Sequence, residues 1–403
     1  MTERTEHRER SAANTGPRGH AQGELTTTEP KERTSNSTAA PSGVKTGRTL
    51  LRNLAITLVA AAIILALSYV LPPFRNYQLA TVGAYLCVTA GLTVLTGLNG
   101  QLSLGHGALM AVGAYTLAMV QNALAGRGQW TLVVAIVAAV VLTTAVGAVV
   151  GLAAARLRGP YLAGLTLAVA VVVPAITSTF DKTFNSDQGL SVAVDPPPLA
   201  LGYSFPYERW QAWIAWTGAL LTLLLLANLI TSRFGRNLKA VRDDEAAARL
   251  AGVNVARTQV LAFVVSAASA GLGGALFAVL AQSVSPGAFP ITLSLFLVMA
   301  IVIGGLGSLA GAAWGAVLLV VLPASTQSLT ESIDVSPALA QRLEGNLPLA
   351  IFGVVLIVVM LAFPGGIASL GRSWRKSRGR SWRIGRSLRN NHRSSDEQKK
   401  GLK

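Results

Sequence analysis

The sequence predicts an all-α, polytopic helical membrane protein with about ten transmembrane helices and both termini in the cytoplasm. Composition is the first observation behind this prediction: the 403-residue chain is 51% hydrophobic and only 13% charged, whereas soluble domains carry about 25% charged residues. The second observation is that seven uncharged runs each reach the roughly 20 residues that a helix needs to cross a bilayer core. The third is that the basic residues cluster in alternate loops.

The uncharged runs divide into ten candidate spans. Five of the runs correspond to one span each. The second run breaks at LNGQLSLGHG (Leu98–Gly107), and the sixth breaks at SVSPGAFP (Ser283–Pro290) and at GGLGS (Gly304–Ser308), because clustered Gly and Pro interrupt apolar helices. In chain order the runs are 53–74, 76–126, 128–155, 159–180, 210–232, 258–330 and 345–371.

Three regions follow from this division. Residues 1–50 are polar and lack the apolar segment of a signal peptide, so we expect a disordered N-terminal tail. Residues 51–369 form the transmembrane domain, which includes one polar segment, 233–258. Residues 370–403 form a basic cytoplasmic tail, which either rests on anionic lipid headgroups or serves only to set the topology.

The loop charges predict the orientation. Loops that carry Lys and Arg stay in the cytoplasm, and with ten spans every basic loop falls on the same side as both termini. The opposite loops are acidic or neutral. The basic positions are Lys45, Arg48, Arg52, Arg156, Arg158, the segment 233–258 and the C-terminal tail, and the acidic ones are Asp181, Asp187, Asp195, Glu331, Asp334 and Glu344.

The sequence contains neither a catalytic motif nor an energy source of its own. The spans contain no Asp, Glu, Lys or Arg, and ion-coupled carriers usually place such residues there. No GxxxxGK[ST], HExxH or CxxC motif occurs, and Cys87 is the only cysteine, which excludes a cysteine-rich metal site. We therefore predict no catalytic residue, metal or cofactor and no enzyme activity. No folded nucleic-acid module surrounds the basic tail, so no nucleic-acid partner is expected.

Glycine is abundant, with 40 residues, and it clusters where helices are expected to approach closely. Gly307, Gly311 and Gly315 form consecutive GxxxG steps, and small residues at this spacing let membrane helices pack at short distance. A second cluster, SAGLGGAL, ends at Leu276. These glycines serve either for static packing or for sliding of neighbouring helices.

The polar segment Phe234–Thr258 has the signals of a short capped helix or helix pair. Gly235 and Asn237 offer a break and an N-cap, Asp243 offers a cap for a second turn, and Gly252 suits the position after a helix. Asp244 and Glu245 lie near a helix N-terminus, where negative charge is favourable. The segment is either an ordinary positive loop or an element that docks on a cytosolic partner.

Three motifs in this order resemble those of LivM-type permeases of branched-chain amino acid ABC transporters. They are NGQLSLGHGALMAVGAY (Asn99–Tyr115), the stretch Gly235–Leu276, and MAIVIGGLGSLAGAAWGAVLL (Met299–Leu319). The resemblance covers roughly residues 51–369. Gly107 stands where many relatives have alanine. The EAA element of other importer permeases has glycine six residues after the glutamate, whereas Gly252 is seven residues after Glu245, so that motif is not matched literally.

The resemblance implies a permease subunit of an ABC importer in a bacterial cytoplasmic membrane. It implies pairing with a LivH-like permease, two cytosolic ATPases, an extracytoplasmic binding protein, and leucine, isoleucine or valine as cargo. The polar segment would then couple to the ATPases. The residues predicted for this coupling are Arg236, Asp243, Asp244, Glu245 and Gly252.

The substrate path is predicted at the break before the third span. Broken helices at membrane depth expose groups that can meet polar ligand ends. The residues predicted to line it are Gln101, Ser103, His106 and Tyr115, with Ser266 and Ser269 as weaker candidates. In the alternative, Ser103 and His106 only satisfy backbone carbonyls at a helix start.

Two other functions remain open at this stage. Permeases for urea or short amides share these motifs, and pocket selectivity leaves no readable motif because one methylene is worth only about 1–3 kcal/mol. A facilitative channel without ATPase partners is the other alternative. ATPase and binding-protein genes beside this one would favour the importer.

Overall fold

The computed structural model describes residues 46–126, 130–157, 159–194, 196–198, 201–202, 205–332, 337–363 and 365–369. The predicted tails therefore lie outside the described residues, apart from residues 46–50, which already belong to the first helix. Lys45, Arg158, Asp195 and Asp334, which contribute to the predicted orientation, lie outside them as well.

The described chain is almost entirely helical. Its ten long helices are α1 Thr46–Val70, α2 Pro73–Leu92, α3 His106–Ala123, α4 Thr131–Ala154, α5 Pro160–Thr179, α7 Tyr207–Thr231, α10 Val255–Ala281, α11 Ile291–Gly304, α12 Leu309–Ser332 and α13 Pro337–Ala362. The short helices are α6 Asp181–Phe184, α8 Arg233–Asp243 and α9 Glu245–Leu250. Two short strands, β1 Leu190–Ser191 and β2 Ser283–Val284, pair antiparallel.

The predicted all-α, polytopic class is confirmed, and each of the ten predicted spans corresponds to one long helix. Within the described residues, eight helical stretches are long and apolar enough to cross a membrane. The two long helices outside that set are α3 and α12. The apolar part of α12, Leu309–Ser325, is shorter than a span requires. The predicted breaks also occur, since β2 and a 3-10 turn separate α10 from α11 and a glycine turn separates α11 from α12.

Helix α10 lies at the centre of the domain and packs on α2, α3 and α4. Glycines make these approaches possible. A side chain at Gly113 of α3 would overlap the backbone of Gly271, and one at Gly274 would overlap the carbonyl of Met110. Backbones this close require residues without a Cβ, as expected of packing between membrane helices.

The predicted glycine stripe divides between a turn and a helix. Gly311 and Gly315 lie in α12 against α11, where a Cβ at Gly315 would come within 2.6 Å of the carbonyl oxygen of Ala300. Gly307 precedes α12 in the turn, with φ +76°. A side chain at Gly97 would overlap the backbone nitrogen of Gly307, so this turn packs against the end of α2.

The caps of the polar segment differ from the prediction. Ser232, not Asn237, caps α8, because its Oγ accepts a hydrogen bond from the backbone N–H of Phe234. Gly235 lies inside the helix, where a Cβ would overlap the backbone of Ile230 in the tight turn from α7. Asp244, not Asp243, caps α9 through the N–H groups of its second and third residues. Gly252 has φ +81° after α9, as its position predicts.

Candidate functional site

The connection between α2 and α3 enters the helical domain. Helix α2 continues into a wide π turn, Thr93–Leu98, and π turns often mark functional sites. The chain then runs as a loop, Asn99–Gly105, until α3 begins. Thr166 of α5 accepts a hydrogen bond from the N–H of Leu104 at 3.0 Å, and Ser294 of α11 accepts one from the N–H of Gly107 at 3.0 Å. Two neighbouring helices thus each accept one backbone hydrogen bond where the loop meets α3.

His106, the first residue of α3, lies between two serines and contacts both. Its Nδ1 is 3.0 Å from Oγ of Ser103, and its Nε2 is 2.6 Å from Oγ of Ser266 in α10. All three side chains are buried. Ser266 lies eleven residues after the start of α10, about 16 Å along its axis. The Ser103–His106–Ser266 chain therefore ties the α2–α3 connection to the central helix inside the buried part of the domain.

The other two residues predicted for the path lie elsewhere. Gln101 accepts a hydrogen bond from the side-chain amide of Asn99 at 2.8 Å, near the end of the domain that carries α8 and α9, hereafter the α8 end. Tyr115 lies in α3 and packs edge-on against Phe184, with ring centroids 5.3 Å apart. The structure thus brings Ser103 and His106 together, adds Ser266, and separates them from Gln101 and Tyr115. Ser269 bonds only to its own helix, at the carbonyl of Val265.

A cavity of about 820 Å³ opens at the α8 end, below the α2–α3 loop. The loop, the first turn of α5, the α8–α9 pair and the first turns of α10 surround it. Asn99 is buried at its edge, and Oδ1 of this side chain has no hydrogen-bond partner within the described residues. The polar residues that line the cavity are Asn99, Gln101, Arg242, Asp243, Asp244, Glu245, Arg249 and Gln259.

The α8–α9 pair has one face against the domain and one face outward. Leu238 and Val241 are buried, in agreement with the apolar stripe that their spacing indicates. Glu245 accepts a hydrogen bond from the Gln259 amide at 3.0 Å, which attaches α9 to the first turns of α10. Leu250, the last residue of α9, is 91% exposed. Arg236, Asp243 and Asp244 are exposed, whereas Glu245 is only partly so.

Arg242 joins the α8–α9 pair to the α2–α3 connection. Its Nη1 donates to the carbonyl oxygen of Gly97 at 2.8 Å, and its Nη2 lies 3.0 Å from Oδ1 of Asp243. A Cβ at Gly100 would come within 2.9 Å of Cγ of Arg242, so the loop passes directly over this side chain. The exposed helix pair is therefore in direct contact with the loop that leads to His106.

Arg242 is absent from the sequence-based set of site residues. It is one of several basic residues in the polar segment, and its acceptor is 145 positions away in the chain. Thr166 and Ser294 are likewise ordinary membrane hydroxyl residues until the α2–α3 loop packs beside them. Residue type and spacing carry no signal for any of the three.

Ten long helices, a loop packed between them and a capped helix pair at one end define a polytopic membrane protein of the permease type. Residues 76–364 match the family described as branched-chain amino acid transport system / permease component. The chain belongs to this family. The match runs from α2 to the end of α13 and leaves α1 outside.

Individual relatives agree with this family. The chain is 33% identical over 258 residues to the high-affinity branched-chain amino acid transport permease LivM of Salmonella typhimurium, covering 59% of this chain and 60% of the relative. It is 30% identical over 303 residues to LivH of Escherichia coli, covering 72% and 91%. It is 25% identical over 295 residues to the probable LivM of Methanocaldococcus jannaschii, covering 71% and 84%. No solved structure shows significant similarity to the chain.

Proposed function

We propose that this chain is the transmembrane permease subunit of an ABC importer that moves branched-chain or other apolar amino acids across the bacterial cytoplasmic membrane. The family match over residues 76–364 is the observation that carries this proposal. The chain aligns with only about 60% of the LivM proteins of Salmonella typhimurium and Escherichia coli, so cargo and partners need their own tests. The family is a transport family, and we propose no catalytic role for the chain.

The partners in this proposal are a LivH-like permease, two cytosolic ATPases and an extracytoplasmic binding protein. The chain is similar to both LivM and LivH proteins, which supports a pair of related permeases. The sequence has no GxxxxGK[ST] motif, so ATP would be hydrolysed by separate subunits. We expect the chain purified alone to show no ATPase activity, and activity that persists after rigorous purification would contradict this assignment.

The α8–α9 pair is the proposed coupling element. Arg236, Asp243 and Asp244 are exposed with Leu250 on the outward side, while Glu245 and Gly252 shape α9 and its end. An exposed leucine with charged neighbours fits an apolar pocket with a polar rim on another protein. Movement of the pair would reach the α2–α3 loop through Arg242, which is bonded to Gly97.

The α2–α3 loop is the proposed gate of the substrate path. The cavity at the α8 end is its proposed cytoplasmic mouth, with Gln101 at the edge. The Ser103–His106–Ser266 chain closes the interior above it, so passage of a substrate requires these hydrogen bonds to break. Tyr115, farther along α3, would contact the substrate only beyond this closure.

Uptake by the assembled transporter tests the function. The tagged chain is isolated with its co-purifying subunits and reconstituted in proteoliposomes with ATP on the cytosolic side. We expect ATP-dependent uptake of leucine, isoleucine and valine in the presence of the binding protein. Uptake of urea but not leucine would support the short-amide alternative, and uptake that needs no ATP would support a channel.

Leucine has to be compared with chemically distant cargo in that experiment. The chain is also 36% identical over 109 residues to the xylose transport permease XylH of Escherichia coli, although this covers only 25% of the chain and 28% of XylH. Similarity in this part of the sequence thus extends beyond amino-acid permeases. Xylose and alanine therefore belong in the panel with leucine and urea.

Leu250→Asp tests the coupling element. A carboxylate placed in an apolar docking pocket costs on the order of 2 kcal/mol or more, so we expect ATP-dependent uptake to fall about tenfold or more. The melting temperature should not change, since Leu250 contacts little of its own chain. Ala251→Asp, at the neighbouring exposed position, is the matched control. Equal uptake by both variants and the native chain would refute docking through Leu250.

A charge reversal of Asp244 and Glu245 is less informative. Asp244 caps α9, and Glu245 accepts the bond from Gln259, so Asp244→Arg with Glu245→Arg would also disrupt the helix pair. Asp244→Asn removes the charge and retains a capping side chain. We expect it to lower uptake less than Leu250→Asp, and a larger loss would move the main docking contact to the acidic residues.

A further inference from the structure

The central helix has one outward stripe, between α4 and α7. Its members, Leu261, Val265, Ala268 and Leu272, follow the spacing of a single helix face, whereas most of α10 is buried. Val265, Ala268 and Leu272 of this stripe form the floor of an apolar groove of about 340 Å³. The groove walls are Val140 of α4 and Thr222, Leu225, Leu226 and Leu229 of α7.

A second crevice, of about 640 Å³, lies at the α8 end of the same stripe. Arg156, just after α4, and Arg257, in the first turn of α10, both line it, and the side-chain amides of Asn237 and Asn254 add hydrogen-bond donors. Among the described residues, no carboxylate lines the crevice. Within the part of the chain that the structure describes, neither arginine forms an ion pair.

Close packing of α4 on α10 brings the two arginines together. A Cβ at Gly151 would come within 2.8 Å of Cβ of Phe263 and 3.3 Å of the carbonyl oxygen of Val260. Arg156 follows Gly151 by five residues, and Arg257 precedes Val260 by three. The two cations therefore lie at the same end of one tightly packed helix pair.

The crevice and the groove lie one helical turn apart on the same face of α10. Leu261 lines the crevice and begins the stripe, and Val265 on the next turn lines the groove. From Leu261 to Leu272 the helix rises about 16 Å. This is about half of the roughly 30 Å bilayer core, or one leaflet. The feature thus has two cations at headgroup level, followed by an apolar helix face whose length matches the thickness of one leaflet.

We propose that this feature binds one phospholipid with an anionic headgroup in the cytoplasmic leaflet. Its phosphate contacts Arg156 and Arg257, and one acyl chain lies along Leu261, Val265, Ala268 and Leu272. Guanidinium groups bind phosphate in a bidentate manner, and basic pockets between helices on the cytoplasmic side suit such headgroups. Phosphatidylglycerol has the required chemistry, because its headgroup has a phosphate and no cation, whereas phosphatidylcholine would place its choline cation close to the two guanidinium groups.

Photocross-linking locates this lipid. The full chain, with its co-purifying subunits, is placed in vesicles of one part phosphatidylglycerol to three parts phosphatidylcholine, with trace phosphatidylglycerol that carries a diazirine in one acyl chain. We expect labelled peptides from α10 and α4, competed by unlabelled phosphatidylglycerol and not by phosphatidylcholine. In Arg156→Gln with Arg257→Gln, labelling should fall about tenfold or more, because each cation contributes about 1 kcal/mol.

A charge-matched variant controls for the general attraction of a basic protein to anionic lipid. Arg233→Gln with Lys239→Gln removes two exposed charges from α8, and neither residue lines the crevice. Its labelling should equal that of the native chain. Should the Arg156/Arg257 glutamine variant fail to accumulate, the corresponding double lysine variant retains both charges and should lose labelling only in part.

Four results would overturn the proposal. Equal labelling by diazirine phosphatidylcholine, or labelling that survives the double glutamine variant, would remove the headgroup selectivity. Competition by inorganic phosphate as strong as that by the lipid would make the crevice a site for a free anion. Labelling of the isolated chain that disappears in the assembled complex would assign the groove to a neighbouring subunit. None of these readouts depends on transport, so the proposed function is tested separately.

Discussion

Helices α1 and α10 are similar in length and apolarity, but their positions differ. Only 6% of the apolar stretch of α1 is buried inside the protein, against 61% for α10. Helix α10 has glycines and alanines at many of its contacts with α2, α3 and α4, whereas α1 presents large aliphatic side chains such as Leu58 and Ile63 outward. Apolarity places both helices in the membrane, and side-chain size decides which of them other helices can surround.

Polar contacts attach α1 to the rest of the domain. The side-chain amide of Asn53 donates to Oδ1 of Asn228 at 2.8 Å, and Ser68 receives bonds from Asn76, Arg209 and Trp213 at the other end of α1. Helix α1 also lies outside the region that matches the family. It is therefore a peripheral helix, joined to α7 at its two ends, and substitutions on its lipid face should matter little.

The largest effect is expected at the crossing of α10 and α3. Gly274→Leu would place a side chain into the carbonyl of Met110, and overpacking of this kind costs about 3 kcal/mol or more. We expect the variant to lose its monodisperse peak in size-exclusion chromatography. Ala62→Leu, at an exposed position of α1, should keep the peak. Similar profiles for both variants would mean that α10 and α3 can separate without loss of the fold.

The next effect is the loss of buried apolar volume on α10. Leu276 is buried against the α7 backbone at Gly218. Truncation of a fully buried leucine creates a cavity, so Leu276→Ala should lower the free energy of unfolding by about 2 kcal/mol. Reversible SDS titration in mixed micelles measures this change. A smaller loss of unfolding free energy for Leu276→Ala than for Leu58→Ala on α1 would contradict the central position of α10.

A smaller effect is expected from the hydrogen bond between α10 and His106. Ser266→Ala removes the hydrogen-bond partner of His106 Nε2. We expect the free energy of unfolding to fall by about 1 kcal/mol. Interhelical hydrogen bonds in membranes average about 0.6 kcal/mol, and the polar group left unpaired adds to the loss. Ser269→Ala, three residues farther along the same helix, removes only a bond to the carbonyl of Val265 and should cost less. The same titration compares the two, and equal losses would show that the His106 bond adds nothing.

The smallest effect is expected on α1. Leu58 is 61% exposed, so Leu58→Ala should change the free energy of unfolding by less than about 0.5 kcal/mol. Because Leu276→Ala is the same leucine-to-alanine change, the difference between the two variants reports only the difference in burial between the two sites. A loss at Leu58 close to that at Leu276 would show that α1 is packed against a further surface of the protein.

The spans and their breaks could be predicted because they depend on local composition. Runs without charge must be long enough to cross the bilayer, and Pro and Gly interrupt them at positions visible in the sequence. The exact caps of the polar segment could not be predicted. Ser232, Asn237, Asp243 and Asp244 are all acceptable cap residues, and the tight turn from α7 together with the buried face of α8 decides that Ser232 and Asp244 take the role.

The candidate site was only partly visible in the sequence. Ser103 and His106 could be singled out as polar residues at a helix break, and the structure gives them side-chain partners rather than backbone carbonyls. Their link to Ser266, 160 positions from His106, depends on how α3 crosses α10. The same holds for Arg242 and Gly97, since no local pattern relates a basic residue in a polar segment to a distant carbonyl.

The sequence by itself determined that this chain is a helical membrane protein of about ten spans, where the breaks between spans fall, and which family it resembles. These properties follow from hydropathy, loop charge and short motifs. Each of these depends on residues that are close together in the sequence. Only the tertiary structure decided that α10 is central and α1 peripheral, that Arg242 connects the α8–α9 pair to the α2–α3 loop, and that Arg156 and Arg257 share one crevice. Close packing between segments that are distant in the sequence determines these contacts. Which side chains meet depends on the shapes of all the helices that cross one another.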